Sequence, residues 1–560
     1  MIRDLTRFDG VTFDVLVIGG GIYGACVAWE ASLRGLNVGL VEKNDFAGAT
    51  SANSLKIIHG GLRYLQHLDI KRLRESTGER TILMNIAPHL VHPLPVIIPT
   101  YGHGLSGKVV MSAALVLNHL LSVDCKRSWD SDKAIPWGRV ISRKDMEGLV
   151  PNIPQKGLTG GAMFYDAQVY NSERLVLSFL HSAAQEGAVL ANYLEVQGFL
   201  KESSGIAGVM VKDKLSGASL AIRSKMVVNT SGPWVGQLLE ELNGKIPNHK
   251  IQLAKAMNIV VDSNVSSMAF GVPASWNYRD DRAVVKRSNR MLFVAPWRNH
   301  SIIGTTYSPF QGKPDDLKVT REEIDELINA TNQACPGLGL DWNNVKLVHR
   351  GLLPCTHAGL GIEDIQLSSQ FQIQDYRKHG VNGLISVIGV KYTTARLVAQ
   401  QVLNRVCSII APKQSMSKSQ THRMPVYGGA IPRFQDFVEK EMPKAPQGIT
   451  RDAFVGLLRN YGNVYHTVLQ SLEGCIDGGK PPICEEHDVL RAQIRFAVRE
   501  EMAQKLPDVV FRRTDLGSVG NPGRPVLDVC AREMGRELKW CEQRIVREVL
   551  ETQEKFDFAA

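Results

Sequence analysis

A glycine-rich turn near the N-terminus constrains the fold of this chain more than any other feature of its sequence. An apolar segment ends at residue 18, and the turn that follows contains Gly19, Gly21 and Gly24. Glycines at this spacing permit a tight turn, a close approach of the backbone to a pyrophosphate, and close packing of a helix on a strand. A second apolar segment ends in Glu42, where a ribose hydroxyl needs an acceptor. The sequence therefore predicts a dinucleotide-binding βαβ unit.

The length and charge of the chain indicate how many domains it has and which kinds of partner it suits. Its 560 residues exceed what one hydrophobic core serves, so we expect two or three domains. The formal net charge of +9 suits an anionic ligand or an anionic membrane surface, although it also fits simple solubility. The basic residues are spread along the chain and form no compact run with interleaved aromatic residues. We therefore expect no nucleic-acid partner.

The number and spacing of the cysteines indicate which metal or disulfide chemistry to expect and in which cellular compartment the protein lies. The nine cysteines form no C-x-x-C motif and no Cys/His pair at zinc-binding spacing, so we expect no metal site and no disulfide oxidoreductase. Scattered thiols of this kind are typical of a reducing, cytoplasmic compartment. The N-terminal residues lack the apolar core of a secretory signal.

The most apolar helical segment, from Val109 to Leu121, raises the question of membrane contact. It is too short to cross a bilayer, and Asn118 and His119 interrupt it. Basic residues flank the segment on both sides. An interfacial helix on a membrane surface and a helix buried in the core both remain open.

The remaining patterns outline the domain organisation. Short β-like runs separated by turn signals at 198–228 and 251–310 predict antiparallel strands. Residues 383–389 read as a buried strand that leads into a helix. A polar linker begins at residue 412, and helical periodicity beyond residue 450 predicts a helical C-terminal domain.

Several longer motifs point to one family. The most specific is Lys-Ile-Ile-His-Gly-Gly-Leu-Arg-Tyr-Leu at residues 56–65. It is joined by Asn-Thr-Ser-Gly-Pro-Trp-Val at 229–235, Gly-Val-Lys-Tyr-Thr-Thr at 389–394 and Val-Phe-Arg-Arg-Thr-Asp-Leu-Gly at 510–517. In these motifs the chain resembles the FAD-dependent glycerol-3-phosphate dehydrogenases and oxidases, over nearly its whole length.

The resemblance implies an α/β fold. A Rossmann-like FAD-binding domain is expected to be interleaved with an antiparallel β-sheet substrate domain that faces the flavin, and a C-terminal α-helical domain follows. The expected boundaries are 1–411 for the interleaved pair, with substrate-sheet segments near 60–170, 195–225 and 250–350, then 412–430 for the linker and 431–560 for the helical domain.

The resemblance also implies FAD rather than NAD as the cofactor. The residues expected to contact FAD come from the glycine turn, the end of the second strand, the polar loop after it, and two later turns. They are Gly19, Gly21, Ile22, Gly24, Glu42, Lys43, Thr50, Ser51, Gly232, Gly389, Tyr392, Thr393 and Thr394.

Three residues are expected to be catalytic in an alcohol oxidation. His59 is the expected base, because imidazole accepts a proton at neutral pH; its alternative is a packing role or one that orients Tyr64. Arg63 would bind an anionic substrate group or the developing alkoxide, or else form a structural ion pair. Lys391, placed at a helix start, would stabilise the reduced flavin or the substrate oxygen, or else be a surface charge.

Two departures from the family bear on the substrate. Members carry arginines that help to bind the substrate phosphate where this chain has Leu353 and Ser369. In addition, the family's Gly-Ser-His is Ala-Met-Asn at 256–258, and Leu55 replaces a serine. The residues expected to bind the substrate are Tyr64, Lys255 and Arg350, with Arg287 and Arg290 as further cations that could compensate.

The leading expectation is oxidation of the secondary alcohol of sn-glycerol 3-phosphate to dihydroxyacetone phosphate. Hydride would pass to the flavin N5, and the electrons then to a quinone or to oxygen. The alternatives are an FAD-dependent dehydrogenase or oxidase of an unphosphorylated polyol, a hydroxy acid or an amine, and a flavin-binding subunit without turnover. We expect a cytoplasmic protein; a homodimer and a peripheral contact with the inner face of the cytoplasmic membrane remain open.

Overall fold

The computed structural model describes residues 1–102, 104, 107–150, 153–203, 205–242, 246, 251–277, 289–357, 365–411, 417–471, 482–484 and 487–558. Its strands, in chain order, are β1 (Thr12–Ile18), β2 (Val38–Val41), β3 (Ile57–Ile58), β4 (Val91–Tyr101), β5 (Arg139–Ser142), β6 (Leu158–Val169), β7 (Val189–Ala191), β8 (Leu194–Glu202), β9 (Gly205–Asp213), β10 (Ser219–Asn229), β11 (Leu253–Val261), β12 (Ala269–Asn277), β13 (Asn289–Trp297), β14 (His300–Phe310), β15 (Val345–His357), β16 (Gln366–Leu367), β17 (Gln372–Asp375), β18 (Leu384–Ile388), β19 (Pro482–Cys484) and β20 (His487–Leu490).

The α-helices of the described residues are α1 (Ile22–Leu33), α2 (Ile70–Ile86), α3 (Lys108–Ser122), α4 (Arg143–Leu149), α5 (Ser172–Gln185), α6 (Val235–Leu239), α7 (Arg321–Ala334), α8 (Ala395–Ile410), α9 (Phe434–Glu441), α10 (Arg451–Tyr461), α11 (Tyr465–Gln470), α12 (Arg491–Glu500), α13 (Leu506–Asp508), α14 (Arg524–Leu538) and α15 (Glu542–Glu554). A 3₁₀ helix over Leu62–His67 matters for the site.

The first sheet forms the nucleotide-binding domain. Its strands lie in the order β17-β18-β10-β1-β2-β7, and all but the edge strand β17 run parallel along this path. The strand β2 is buried along its whole length, and α1 is buried because it packs against both α5 and α8. Parallel strands buried by crossover helices are what a Rossmann-like domain requires, so this part of the predicted fold is confirmed.

The second sheet forms the substrate domain. Its strands lie in the order β16-β15-β11-β14-β13-β12-β4-β6-β3, with β5 beside β6. The pairs are antiparallel except for β4 with β12. One face packs on α7 around Phe270, Leu292 and Ile324. Other residues of the sheet, among them Ala256 and Asn258, line a cavity shared with the first sheet.

The C-terminal domain contains α9–α15 and the hairpin β19–β20. It packs on the second sheet around Trp297 and Ile302. Arg512 and Arg513, in the motif at 510–517, both contact the buried Asp45 in the loop after β2. Burial alone would raise the pKa of Asp45, but the charges of the two arginines outweigh it and lower the pKa overall. The helical domain is thereby tied to the loop that follows the nucleotide-binding unit.

Two predicted boundaries differ from the structure. The segment predicted at 195–225 as part of the substrate sheet forms β8, β9 and most of β10, which extend the first sheet. The pattern of apolar and polar residues identifies strands but not the sheet that they join. The described part of the predicted linker packs on the first domain, where Thr421 donates to Glu30 at 2.6 Å; residues 412–416 lie outside the described residues.

Candidate active site

The turn after β1 has the shape of a phosphate cradle. Gly19 has φ of 101°, a backbone conformation that favours glycine. A Cβ atom on Gly24 would lie 1.8 Å from the backbone oxygen of Gly19, so only glycine allows α1 to approach the turn this closely. Helix α1 begins at Ile22, and the N-terminus of a helix favours an anion. The tight turn and the close packing of the helix are two of the three roles that the glycine spacing predicted.

Glu42 and Ser51 complete this cradle. One carboxylate oxygen of Glu42 accepts from the Gly20 amide at 2.7 Å, and the other accepts from the Asn44 amide at 2.9 Å. Burial raises the pKa of Glu42 despite these bonds. The Ser51 hydroxyl accepts from the Ile22 amide at 3.0 Å. The carboxylate is thus fixed beside the glycine turn, where a ribose hydroxyl would meet it.

A cavity of about 1500 Å³ runs from this cradle to the second sheet. Ligand pockets usually measure roughly 300–1000 Å³, so this cavity is large enough for a dinucleotide and a small substrate together. The predicted cofactor residues on its wall are Gly19, Gly21, Ile22, Glu42, Lys43, Thr50, Ser51, Gly232, Gly389, Tyr392 and Thr393.

Two predicted cofactor residues lie off the cavity wall. Gly24 faces the turn and not the cavity, because its function is the close contact between helix and turn. Thr394 immediately precedes α8 and is buried. Lys43 lies on the wall, but its Nζ atom is 2.5 Å from the Asp315 carboxylate and 4.1 Å from the centre of the Trp234 ring. Its charge is therefore balanced within the protein.

His59 and Asp166 form a pair at the substrate end of the cavity. The Nδ1 atom of His59 lies 3.0 Å from Oδ2 of Asp166, and both residues line the cavity. The His59 side chain is 53% exposed, whereas that of Asp166 is 8% exposed. Asp166 was not predicted: it lies on β6, far from the histidine in sequence. Asp166 is the one charged residue of the strand Leu158–Val169, and this was the signal that could have identified it.

Asp166 is held by further donors that fix its orientation. Its Oδ1 atom accepts from the Gly60 amide at 2.6 Å and from Arg80 at 3.3 Å. Burial alone would raise the pKa of Asp166, but the hydrogen bond and charge of His59 and the charge of Arg80 lower it overall. Asp166 is therefore a fixed, ionised partner for the imidazole.

Arg63 and Tyr64 lie on the 3₁₀ helix Leu62–His67, and both line the cavity. Gly61 precedes them with φ of 87°, and a Cβ atom there would lie 2.7 Å from the Tyr64 ring. The centre of the Tyr64 ring is 4.3 Å from Nζ of Lys391 and 5.4 Å from Cζ of Arg72. Cation–π contacts of this kind fix the side chains without neutralising their charge.

Lys391 lines the cavity, but it does not start a helix. It lies in the turn between β18 and α8, and the helix begins at Ala395. The Tyr23 hydroxyl donates to the Lys391 backbone oxygen at 2.8 Å and holds this turn in place. The predicted helix-start position is wrong, whereas the predicted location of the charge at the cavity agrees with the structure.

Lys255 and Arg350 do not line the cavity. Because Ala256 and Asn258 line it from β11, Lys255 between them points to the opposite face, where its Nζ atom lies 2.5 Å from Glu323. Arg350 is paired in register with the core residue Met257. These two substrate-binding predictions are therefore corrected. Arg287 lies outside the described residues, and Arg290 lines the cavity.

Helix α3 covers one side of the cavity. Val110, Met111 and Leu117 line the cavity, while Val109 and Leu120 are 82% and 62% exposed. The stretch Lys108–Cys125 is, among the described helices, the one long and apolar enough to cross a membrane by length and composition, and only 22% of it is buried. The segment is thus longer than predicted, and the alternative of a helix buried in the core is wrong.

Comparisons with known proteins agree with this geometry. Residues 14–394 match the family described as FAD dependent oxidoreductase, and residues 419–545 match the C-terminal domain of alpha-glycerophosphate oxidase. The chain is 34% identical to the glycerol-3-phosphate dehydrogenase of Synechocystis sp., over 93% of this chain and 92% of that protein. It is 28% identical to the alpha-glycerophosphate oxidase of Streptococcus pneumoniae, over 95% and 93% of the two chains.

A solved structure supports the same assignment. The glycerol-3-phosphate dehydrogenase from Bacillus halodurans, complexed with FAD, is similar with a TM-score of 0.76 and 25% identity, over 99% of this chain and 96% of that one. The cradle of Gly19, Gly24 and Glu42 fits such a cofactor, and the prediction of FAD is confirmed. This chain belongs to the family of FAD-dependent oxidoreductases that includes the glycerol-3-phosphate dehydrogenases and alpha-glycerophosphate oxidases.

Proposed function

We propose that this chain oxidises the secondary alcohol of sn-glycerol 3-phosphate to dihydroxyacetone phosphate. The observation that carries the proposal is the His59–Asp166 pair, which faces the same cavity as the nucleotide cradle. A base beside a hydride acceptor is what oxidation of an alcohol requires. Relatives named for activity on this substrate match the chain over nearly its whole length, which supports the choice of substrate.

Different residues of the cavity have different roles in the proposed reaction. FAD, when bound, supplies the hydride acceptor. The Asp166 carboxylate favours the tautomer of His59 with its hydrogen on Nδ1, so that Nε2 accepts the substrate hydroxyl proton. The same carboxylate then stabilises the imidazolium. Arg63 and Lys391 bring positive charge to the cavity, where it attracts an anionic substrate and stabilises a developing alkoxide.

The substitution His59→Asn tests the assignment of the base. We expect flavin reduction by sn-glycerol 3-phosphate to slow by about 10²–10⁴-fold. The exposed His379, outside the cavity, offers a matched control as His379→Asn. Stopped-flow absorbance gives the rate, and assay of dihydroxyacetone phosphate gives the product. An unchanged rate and pH profile in His59→Asn would remove His59 from the mechanism.

We further propose a quinone as the electron acceptor, reached at the inner face of the cytoplasmic membrane. The support is α3, which presents apolar residues to the cavity on one side and to the exterior on the other. Trp137, 62% exposed, stacks on His119 of this helix with ring centres 3.5 Å apart. An exposed apolar helix with a tryptophan beside it suits the interface of a bilayer, and an apolar acceptor could enter there.

The double substitution Val109→Glu and Leu120→Glu tests this contact. We expect the wild-type protein to float with anionic liposomes and the variant to remain in the soluble fraction, because two charges oppose burial of the helix face. Reduction of a water-soluble dye should be unchanged, while reduction of membrane quinone falls at least fivefold. Val546→Glu, at an exposed apolar residue of α15, is the control. A wild-type protein that stays soluble and makes hydrogen peroxide in air would favour oxygen as the acceptor.

A further inference from the structure

We infer that Arg290 binds the phosphate group of the substrate in this chain. The inference rests on the proposed function and deepens it by naming the phosphate-binding residue. Leu353 and Ser369 both line the cavity and carry no charge. Among the described strand residues of the second sheet that line the cavity, Arg290 is the one with a cationic side chain. Within the described strands of this sheet, a phosphate dianion therefore meets the Arg290 guanidinium.

Arg290 is held in position by an aromatic ring. It lies near the start of β13, and its Cζ atom is 4.8 Å from the centre of the Tyr307 ring on the adjacent strand β14. Tyr307 also lines the cavity. Stacking on a ring face restricts the guanidinium plane, while the N–H groups at its edge keep their directions for an anion. Arginine is suited to such recognition because two parallel N–H groups can bind two phosphate oxygens.

The spacing along β13 matches a short phosphate ester. The rings of His59 and Phe293 have their centres 6.4 Å apart, so Phe293 marks the position of the base on this strand. Arg290 lies three residues earlier, about 10 Å along the strand. An extended three-carbon monophosphate with its alcohol at His59 covers roughly half of that distance, which brings its phosphate within reach of a long side chain at position 290.

Two other cations on the cavity wall, Arg72 and Lys43, lie beside carboxylates. Nε of Arg72 is 2.5 Å from the Asp69 carboxylate, and its Nη1 donates to the Ser369 backbone oxygen at 3.1 Å. Lys43 is paired with Asp315. Lys391 packs on Tyr64, next to Arg63 on the 3₁₀ helix. Arg290 lies on the second sheet and not on the 3₁₀ helix, so it contributes its charge from another part of the cavity wall.

The substitutions Arg290→Leu and Arg290→Lys test the inference on the holoenzyme. We expect Arg290→Leu to raise the concentration of sn-glycerol 3-phosphate needed for half-maximal flavin reduction about ten- to hundredfold. Arg290→Lys should retain part of the affinity because it keeps the charge. Slow reduction by glycerol, which has no phosphate, should be unchanged. Arg321→Leu is the control, since Arg321 also stacks on a ring, that of Trp342 at 4.5 Å, and does not line the cavity.

A second variant and a binding measurement complete the test. Adding Leu353→Arg to Arg290→Leu should recover at least a third of the lost affinity, because it returns a guanidinium to the cavity wall. Calorimetric titration with inorganic phosphate should give a dissociation constant at least tenfold weaker in Arg290→Leu than in the wild type. A change below threefold in both measurements overturns the inference. If the wild type binds phosphate through Arg290 but sn-glycerol 3-phosphate never reduces the flavin, the proposed function fails and the phosphate site stands.

Discussion

Asp166 is the residue on which the action of His59 depends. It lies 3.0 Å from the imidazole Nδ1, is nearly buried, and also accepts from the Gly60 amide. These bonds keep the carboxylate in one orientation, and the carboxylate in turn keeps the imidazole in one tautomer. The base is therefore a pair, with His59 directly after β3 and Asp166 on β6, and not a single histidine.

The substitution Asp166→Asn tests this pairing. We expect the rate of flavin reduction to fall about 10²–10⁴-fold, because an amide can donate to Nδ1 and favour the wrong tautomer. FAD content and the melting temperature report whether the site is still folded. Asp124→Asn, at an exposed carboxylate paired with Arg74, is the control. A rate within threefold of the wild type would mean that Asp166 holds the loop and has no part in the chemistry.

For single residues, the sequence predicted which side chains lie at the cavity better than it predicted which residues contact them. His59, Arg63 and Lys391 follow from motifs, and the structure places all three on the cavity wall. Asp166 could not be predicted from spacing, since its contact depends on the pairing of β3 with β6. Lys255 was misplaced for a similar reason: a shift of one residue in a strand moves a side chain to the other face.

At the scale of elements, the turn between β1 and α1 decides whether the cofactor binds. The closest approach is at Gly24, where a Cβ atom would overlap the backbone oxygen of Gly19 and lie 2.8 Å from the Thr230 hydroxyl. Both neighbours belong to the turn or to the residue after β10, so neither can move without distorting the cradle. Close packing of the helix on the turn therefore requires glycine at position 24, and the shape of the cradle depends on that packing.

The substitution Gly24→Ala is expected to abolish FAD retention. The added methyl group pushes α1 away from the turn and removes its N-terminal amides from the pyrophosphate. The ratio of flavin to protein absorbance measures the effect. Gly78→Ala, in the middle of α2 with no atom within 4 Å of the added Cβ, should instead retain FAD and stabilise the fold by about 1 kcal/mol. Full FAD content in Gly24→Ala would contradict this account of the turn.

Helices and strands were predicted correctly where a short segment of sequence contains the whole pattern. The βαβ unit is local in sequence, and its apolar strands, glycines and terminal glutamate all lie within a short segment. The strands β8 to β10 were recognised as strands but assigned to the wrong sheet, because sheet membership depends on contacts between distant segments. The long apolar helix was predicted, while its exposure on the surface was not decided by its sequence.

For the whole molecule, buried histidines make stability depend on pH. His89, His181 and His349 are buried, and burial lowers their pKa values to about 3, about 4 and about 3. In the unfolded chain these histidines titrate near pH 6.5. As the pH falls below 6.5, the unfolded state binds protons that the folded state does not, so the free energy of unfolding decreases. Above pH 6.5 both states hold neutral histidines, and this contribution is fully present.

Urea unfolding between pH 8 and pH 4.5 checks this prediction. The three histidines are expected to contribute a constant free energy of unfolding above pH 6.5 and a decreasing one below it. The difference between the wild type and a histidine variant isolates this contribution from other groups that titrate in the range. His89→Gln, which cannot take up a proton, should show a shallower decrease than the wild type. Equal slopes in the two proteins would show that His89 is protonated in the folded state.

Anaerobic titration of the purified flavoprotein with sn-glycerol 3-phosphate tests the central claim most directly. We predict that the oxidised flavin absorbance near the visible maximum bleaches rapidly and that one dihydroxyacetone phosphate forms per flavin, while glycerol at the same concentration gives little bleaching. Bleaching by glycerol, a hydroxy acid or an amine in preference to the phosphate ester would contradict the account, and so would a flavin that sn-glycerol 3-phosphate leaves oxidised.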